Sequence, residues 1–262
     1  MTSVKLIPDT SLVHALHPSP NFGVRKKALE PYIIVLHYTG LPSVERSIAV
    51  LADPRGQVSS HYVIDAEGRI TQMVPEVMRA WHAGVSWWDG ESDINSASIG
   101  IEIHNPGHRN GTAPEFAAVQ MCAVRDLCLD IMRRHDIARE CVLAHSDIAP
   151  ARKMDPGEKF DWPWLASAGV GHWVAPEPLS HDDDALALGA SGERVRAMQE
   201  RLGDYGYLCP ETGEFDTTTE FVVLAFQRHF RPALVDGRFD RSSALTLERL
   251  IAALPESDVV GV

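Results

Sequence analysis

The chain lacks any apolar run close to the roughly 20 residues that a helix needs to cross a membrane, so we expect no membrane-spanning helix. Its first nine residues contain one lysine and no apolar stretch of the length found in secretory leaders. Taken as a natural start, this segment predicts a cytoplasmic protein. The alternative is a periplasmic or cell-envelope protein whose leader is missing from the sequence.

Excess positive charge is also missing. Asp and Glu outnumber Lys and Arg by 36 to 24, which gives a net charge of −12. Because phosphate binding needs clustered lysine and arginine, this charge argues against nucleic acid as the partner. With 262 residues, of which 45% are hydrophobic, the chain is long enough for one large globular domain and one small one.

Cysteine is scarce, and no CxxC pair occurs among the four present, which are Cys122, Cys128, Cys141 and Cys209. Cys122 and Cys128 fall in one predicted helix, about 120° apart around its axis, so they should not bridge each other. We therefore expect free buried thiols, which suit a reducing compartment.

The first two thirds of the chain alternate strand-like and helix-like segments, which predicts an α/β domain over residues 1–174, with a mixed central sheet flanked by helices. Helical periodicity covers residues 43–52. Apolar or alternating runs predict strands over residues 32–37, 61–65, 69–74, 98–104 and 141–144. In residues 98–104 the isoleucines face one way, and Gly100, Glu102 and His104 face the other.

A long helix is predicted to begin at Thr112. Thr112 and Glu115 have the spacing of a capping box, and Pro114 would lie in the first turn. The helix should end near His135. Its predicted apolar stripe consists of Phe116, Val119, Ala123, Leu127 and Ile131.

Beyond an acidic, proline-containing linker over residues 175–190, the pattern predicts helices alone, in a small three-helix domain over residues 191–262. We expect Ser191 to cap its first helix. The region contains an internal repeat, because residues 213–219 (GEFDTTT) resemble residues 237–243 (GRFDRSS). Each copy supplies a glycine turn, an anchoring phenylalanine and a hydroxyl-rich helix start.

Two histidines, His37 and His145, end predicted buried strands. Strand ends in α/β proteins are the usual place where sites are assembled. Asp155 follows His145 by ten residues, in a turn-like stretch. Two imidazoles and one carboxylate make a catalytic zinc set, which leaves one position for water. From composition alone, the alternative is that both histidines are hydrogen-bonded core residues.

Four motifs, taken in order, resemble a known family. They are HYT at 37–39, AWHAG at 80–84, SIGIEI at 98–103 and HSDIAPARKMDPG at 145–157. Over about residues 14–170 the chain resembles the type 2 N-acetylmuramoyl-L-alanine amidases, zinc enzymes related to peptidoglycan recognition proteins, and most of all the bacterial AmpD and AmiD amidases. The resemblance implies hydrolysis of the amide bond between N-acetylmuramic acid, or its anhydro form, and L-alanine. The substrate would be peptidoglycan or muropeptides, in cell-wall recycling or turnover.

The resemblance also implies roles for single residues. His37, His145 and Asp155 match the ligands of Zn²⁺. Glu102 matches the general base, and Lys153 matches the lysine that stabilises charge on the tetrahedral intermediate.

Four further residues are candidates for substrate binding: Trp81, His82, Asn105 and Arg152. Flat aromatic faces pack against sugar rings, which favours Trp81 and His82, and the alternative for both is a packed loop. Asn105 and Arg152 flank the active segment and would contact peptide carbonyls or carboxylates. The alternative for Arg152 is an ion pair at the surface.

The C-terminal region resembles type 1 peptidoglycan-binding domains over about residues 185–252. The implied partner is therefore peptidoglycan or a muropeptide, and the oligomeric state is left open. The alternative for this region is a helical bundle that only packs on the amidase. For the whole chain, the alternative from another functional class is a non-catalytic peptidoglycan recognition protein, and a phage-type lysin is a third possibility.

Overall fold

The computed structural model describes residues 5–26, 29–109, 111, 113–179 and 184–255. Its strands are Val13–Leu16 (β1), Phe22–Val24 (β2), Ile33–Tyr38 (β3), Tyr62–Ile64 (β4), Ile70–Gln72 (β5), Met78–Ala80 (β6), Ser98–Ile103 (β7) and Val142–Ala144 (β8). Six of them form one mixed sheet in the order β1-β5-β4-β7-β3-β8, and β2 pairs with β6 separately.

The α-helices are Val44–Leu51 (α1), Ile94–Ala97 (α2), Ala118–His135 (α3), His145–Ile148 (α4), Trp162–Ser167 (α5), Glu193–Tyr205 (α6), Thr217–Phe230 (α7) and Arg241–Ala252 (α8). Helices α1 to α3 are interspersed with the strands, whereas α4 to α8 follow the last strand, β8. The predicted fold class, a mixed sheet flanked by helices with an all-α C-terminal region, is confirmed.

Strand β3 lies in the interior of the sheet, parallel to both β7 and β8. On one face of β3, Ile34 and Leu36 pack with the isoleucines of β7 and the apolar side of α3. On the other face, Ile33 and Val35 belong to a separate apolar cluster. A strand covered on both faces has to be apolar almost throughout, which explains why residues 32–37 are a continuous hydrophobic run.

Polar residues occur where these parallel strands end. His37 lies near the carboxyl end of β3 and is directly opposite Glu102 of β7 in the strand register. Strand β8 ends at Ala144, and His145 follows as the first residue of α4. Because the three strands run parallel, their carboxyl ends meet at one edge of the sheet. The topology therefore brings both histidines and Glu102 to the same place.

The predicted hairpin and first helix are confirmed. Strands β4 and β5 are antiparallel, and Gly68 adopts a φ of 79° in the turn between them. Helix α1 begins after Ser43, whose side chain accepts a hydrogen bond from the backbone N–H of Arg46. The apolar side of α1 packs against Val63 and Met73, as its periodicity predicted.

The predicted start of the long helix is wrong. Helix α3 begins at Ala118, residues 113–117 are not helical, and Thr112 lies outside the described residues. The predicted stripe is also shifted, because Val119 is 54% exposed. Leu127 and Ile131 are buried as expected, together with Gln120, Met121, Val124 and Cys128. Phe116 precedes the helix and contacts Phe160 edge-on, so its burial does not depend on helical phase.

The three predicted C-terminal helices are present, but their caps differ from the prediction. Gly192, with a φ of 112°, takes the N-cap position of α6 that was expected for Ser191. In the repeat, the aspartates rather than the hydroxyl residues cap the helices. Asp216 accepts from the backbone N–H of Thr219, and Asp240 from that of Ser243. An aspartate is as good an N-cap as serine, and here it stands one residue earlier.

The two repeat copies are held in the same way. The side-chain oxygen of buried Gln199 accepts from the backbone N–H of Gly213 at 2.8 Å, and that of buried Gln227 accepts from Gly237 at 2.9 Å. Phe215 and Phe239 are buried next to these turns. The repeat in the sequence therefore corresponds to one structural unit used twice, a glutamine-held turn followed by an aspartate-capped helix.

The helical region packs directly on the sheet region. Tyr207 and His229 donate hydrogen bonds of 2.8 and 2.7 Å to the buried carboxylate of Asp147 in α4. The ring of His229 also stacks on Trp162 at 3.8 Å between centroids. The predicted domain limits at residues 174 and 191 stay predictions, but the contacts across them form one continuous apolar cluster.

Two further expectations concern cysteines and membrane spans. All four cysteines are free thiols, and Cys128 and Cys209 are buried. Within the described ranges, no helix combines the length and the hydrophobicity that crossing a bilayer requires.

Candidate active site and metal centre

Three potential metal ligands converge at the carboxyl edge of the sheet. The Nδ1 atoms of His37 and His145 lie 2.8 Å apart, and Oδ2 of Asp155 lies 3.2 and 2.9 Å from them. All three residues are buried. Ligand atoms at about 2.0 to 2.1 Å from a tetrahedral zinc are about 3.3 Å from one another, so the observed spacing is close to that of a zinc site.

The protonation of the two imidazoles also fits a metal. Nε2 of His145 lies 3.2 Å from the carbonyl oxygen of Ala83, which can only accept, so a neutral His145 carries its proton on Nε2. Nε2 of His37 lies 3.0 Å from Nδ1 of His82. With protons on both Nε2 atoms, two Nδ1 lone pairs and one carboxylate oxygen face each other. A cation between them satisfies all three.

The charges of the cluster are consistent with this arrangement. Burial, together with the neighbouring His145, lowers the pKa of His37 to about 4, which keeps its imidazole neutral at pH 7. Burial alone would raise the pKa of Asp155, but the two imidazoles hold that pKa well below its usual range. His37 and Asp155 therefore offer a neutral nitrogen and a carboxylate oxygen, and with the imidazole of His145 they make up a donor set that zinc prefers.

Glu102 lies beside these ligands and has a different environment. Its Oε2 atom is enclosed and has no hydrogen-bond partner among the residues that the structure describes. Burial, reinforced by the charge of Asp155 and partly offset by Lys153, raises the pKa of Glu102 to about 8. A carboxylate whose pKa lies near neutrality can both take up and release a proton at pH 7, which is what a general base requires.

The ligands face a cavity of about 310 Å³. Its lining includes the polar residues Glu102, Lys153, His145 and Asp155, together with Trp81 and His82. Apolar side chains also line it, from Leu41, Val50, Leu51 and Val58. Lys153 therefore lies at the same cavity as Glu102, where its ammonium group can balance developing negative charge.

The four predicted substrate-binding residues divide into two pairs. Trp81 and His82 line the cavity, whereas the described cavity lining does not include Asn105 or Arg152. The side chain of Asn105 is buried and bridges Pro114 and Gly107, with bonds of 3.0 and 2.9 Å. Arg152 donates to the carbonyl oxygen of Ala83 at 3.0 Å and to that of Val85. A substrate-binding role for the four residues stays a prediction.

Sequence reasoning missed the residues behind the three potential ligands. Asn95 is buried and accepts from the backbone N–H groups of His82 and Ala83. A side chain at Gly100 would place its Cβ 2.4 Å from Cγ of His82. A glycine within an alternating strand often marks such a close approach, and this signal was available in the sequence.

The comparisons with known proteins agree with this geometry. The family model of N-acetylmuramoyl-L-alanine amidase matches residues 27–158. The N-acetylmuramoyl-L-alanine amidase AmiD of Escherichia coli is 38% identical over 233 residues, which cover 84% of this chain and 82% of AmiD. The chain belongs to this amidase family. A second family model, of a peptidoglycan binding domain, matches residues 191–245.

Solved structures resemble the amidase over most of its length. The complex of AmiD from E. coli with anhydro-N-acetylmuramic acid-L-Ala-D-γ-Glu-L-Lys matches with a TM-score of 0.70 and 36% identity, and the match covers 87% of this chain and 91% of AmiD. AmpDh3 from Pseudomonas aeruginosa matches with a TM-score of 0.69 and 34% identity, covering 86% of this chain and 92% of AmpDh3. Both likenesses extend across the sheet region and into the helical region.

Proposed function

We propose that the amidase is zinc-dependent and cleaves the amide bond between N-acetylmuramic acid, or anhydro-N-acetylmuramic acid, and L-alanine. The observation that carries the proposal is the convergence of three lone-pair atoms, from His37, His145 and Asp155, beside the enclosed carboxylate of Glu102. Zinc held by these three residues would act as a Lewis acid on the scissile carbonyl.

The chain's own residues would carry the proton transfers. The Glu102 carboxylate takes a proton from the attacking water and delivers it to the leaving L-alanine nitrogen. The raised pKa of Glu102 suits both steps, because near neutral pH the carboxylate can take up a proton and the carboxylic acid can release it. The ammonium group of Lys153, at the same cavity, stabilises the negative charge on the oxygen of the tetrahedral intermediate.

The proposed substrate class is the muropeptide, in recycling or in turnover of the wall. AmiD, with which the chain shares 38% of its aligned residues, is solved with an anhydro-muramoyl tripeptide. The region matched by the peptidoglycan-binding model would hold the same polymer whose stem the amidase releases. The proposed compartment is the cytoplasm, with the periplasm or cell envelope as the alternative, and fractionation of cells that carry the natural gene distinguishes the two.

The deciding experiment uses the purified full chain with anhydro-muropeptides and, separately, with intact sacculi. Each substrate is incubated with the zinc-loaded protein, with a chelated sample and with a chelated sample to which zinc is restored. Mass spectrometry identifies the products. We expect zinc-dependent release of peptides that begin with L-alanine. The substrate that is cleaved faster shows whether recycling or wall turnover is the main role.

The His37→Ala variant is the matched control. Because it removes one of three ligands, we expect it to lose both stoichiometric zinc and turnover. If the wild-type chain retains zinc and releases nothing from either substrate, the proposal is wrong, and the non-catalytic recognition protein becomes the better explanation.

A further inference from the structure

One short segment contacts both metal-binding histidines from behind. Nδ1 of His82 lies 3.0 Å from Nε2 of His37, and the carbonyl oxygen of the next residue, Ala83, lies 3.2 Å from Nε2 of His145. We call these two consecutive residues the dipeptide 82–83. It therefore faces the Nε2 atoms of the two histidines whose Nδ1 atoms converge on Asp155.

The carbonyl oxygen of Ile94 fixes the direction of the hydrogen bonds that link Ser98, His82 and His37. The Ser98 hydroxyl lies 2.5 Å from the carbonyl oxygen of Ile94, which can only accept, so Ser98 donates there. Nε2 of His82 lies 3.2 Å from the Ser98 oxygen and must donate to it. Nδ1 of a neutral His82 is then an acceptor. It receives the Nε2 proton of His37, which leaves Nδ1 of His37 free to bind a metal.

A single amide oxygen holds the dipeptide in place. Oδ1 of Asn95 accepts from the backbone N–H of His82 and from that of Ala83, both at 2.9 Å. Asn95 is buried in α2 and does not line the cavity formed by the described residues. The hydrogen bonds of its side-chain oxygen therefore reach the ligands through the dipeptide.

Two further contacts restrict the same segment. The absence of a side chain at Gly100 leaves the space that the His82 ring occupies, since a Cβ there would lie 2.4 Å from Cγ of His82. Arg152 donates to the carbonyl oxygen of Ala83 at 3.0 Å, so that this oxygen is shared between Arg152 and His145. His61, which lies near His82, makes neither of these contacts. Its Nε2 is hydrogen-bonded to the carbonyl oxygen of Met78, and its Nδ1 accepts from the backbone N–H of Gly100.

We propose that Asn95 is a positioning residue, which holds the dipeptide 82–83 so that it fixes both metal-binding histidines in the tautomer with a free Nδ1. The inference rests on the proposed zinc site. Groups that orient metal-binding imidazoles typically contribute about 10- to 100-fold to metal affinity. Because Asn95 acts one step further away, we expect an effect near the lower end of that range.

The experiment measures zinc affinity of the full chain by competition with a chromophoric chelator. In Asn95→Ala, the dipeptide loses both of its amide-oxygen contacts, and we expect zinc to bind about tenfold more weakly. The matched control is Ser96→Ala, in the same turn of α2. It also loses two hydrogen bonds, both partly buried, from Lys26 N–H and to Asp93, but neither contacts the dipeptide. We expect the zinc affinity of Ser96→Ala to stay within about threefold of the wild-type value, which is the precision of such titrations. The variant should not change the orientation of the two imidazoles.

A second variant and a second measurement keep the inference testable if Asn95→Ala folds poorly. Ser98→Ala removes the acceptor for His82 Nε2–H without changing Asn95. Nitrogen NMR of the imidazoles then reports the tautomers directly. We expect wild-type His82 to be protonated at Nε2, and Ser98→Ala to populate the Nδ1-protonated form with a matching loss of zinc affinity.

The outcomes separate this inference from the proposed function. If the wild-type chain binds no zinc, the proposed function itself fails. If the wild-type chain binds zinc and folded Asn95→Ala binds it equally well, only the role of Asn95 is overturned. Equal weakening in Ser96→Ala would show general loosening of α2 and would also overturn it. An Nδ1-protonated His82 in the wild-type chain would contradict the direction of the hydrogen bonds.

Discussion

Two glutamates of the sheet region have opposite surroundings. Glu76 is 2% exposed, and its carboxylate accepts from Tyr62 at 2.6 Å, from His135 at 2.7 Å and from both terminal nitrogens of Arg134. Burial would raise the pKa of Glu76, but the bonds from Arg134, His135 and Tyr62 outweigh it and lower that pKa to about 2. Glu102, by contrast, has an oxygen without any partner and a pKa raised to about 8.

The difference shows that burial does not by itself decide what a carboxylate does. Around Glu76, every oxygen is used to join α3 to the hairpin region, so the group is a fixed anion. Around Glu102, the missing partners leave the group ready to exchange a proton, at some cost to stability. The two glutamates therefore differ in role. Glu76 joins parts of the fold, whereas Glu102 lies at the cavity and is the group that we propose for proton transfer.

The largest expected effect comes from replacing Glu102 with glutamine. The variant keeps the shape of the side chain but cannot accept a proton, so we expect turnover to fall about 10²- to 10⁴-fold. Zinc content should stay at the wild-type value. The urea midpoint should stay the same or rise, because ionised Glu102 costs stability and, among the described residues, its Oε2 has no hydrogen-bond partner to lose. Steady-state peptide release, zinc stoichiometry and urea unfolding test this. A variant that loses zinc or unfolds would contradict the comparison.

Replacing Glu76 with glutamine should have the reverse pattern. Arg134 and His135 lose their buried anion, and we expect the free energy of unfolding at pH 7 to fall by about 2 to 3 kcal/mol, with kcat unchanged. Glu248→Gln is the control, since it breaks an ion pair with Arg201 that is half exposed. That control should cost less than about 1 kcal/mol. Equal losses in the two variants would show that the surroundings of Glu76 are not special.

Acid titration sharpens the same comparison. The pKa of Glu76 in the fold, about 2, lies below its ordinary value of 4.5, so the folded chain binds this proton less tightly than the unfolded chain does. The stabilisation is complete above pH 4.5 and is lost as the pH falls towards 2. Between pH 4.5 and pH 3 the wild type should lose roughly 1.5 kcal/mol more than Glu76→Gln does. Parallel curves for the two proteins would refute this.

The smallest expected effects concern the two aspartates that cap α7 and α8. Asp240→Ala removes the acceptor for the backbone N–H of Ser243, and we expect a loss of about 1 kcal/mol in urea unfolding. Asp216→Ala, in the other repeat copy, removes the equivalent contact with Thr219 but should cost somewhat less, because Asp240 also lies 3.7 Å from the guanidinium of Arg231. Peptide release from muropeptides should be unaffected in both. A larger cost for Asp216→Ala than for Asp240→Ala would contradict this prediction.

Much of the fold was predictable because the responsible patterns are local. The continuous run of residues 32–37, the glycine turn at Gly68 and the alternation of residues 98–103 each depend on neighbours in the sequence. The start of α3 was not predictable in this way. A capping signal around Thr112 competes with the packing of Phe116 on Phe160, which comes from 44 residues further along the chain.

The candidate site shows the same limit. The placement of His37 and His145 at neighbouring strand ends followed from the order of strands and helices, and Asp155 from its spacing. The role of Asn95 did not, because its contact with the dipeptide 82–83 depends on how a four-residue helix packs behind the sheet. The partners of Glu76 were hidden for a similar reason. Arg134 and His135 look like ordinary basic residues at the end of a helix, and only the fold brings them to Glu76.

The hydrogen bonds from Tyr207 and His229 to Asp147 have a consequence for protein engineering. The domains of enzymes that carry a wall-binding module are often treated as exchangeable. The catalytic domain is then cut off at the linker and fused to a different targeting domain. In this chain such a cut would remove both side-chain donors of the Asp147 carboxylate, which lies two residues from His145. It would also expose the ring of Trp162 to solvent on the side that stacks on His229. A chimera with altered wall specificity should therefore retain α6 and α7 and vary only the surface that faces away from α4.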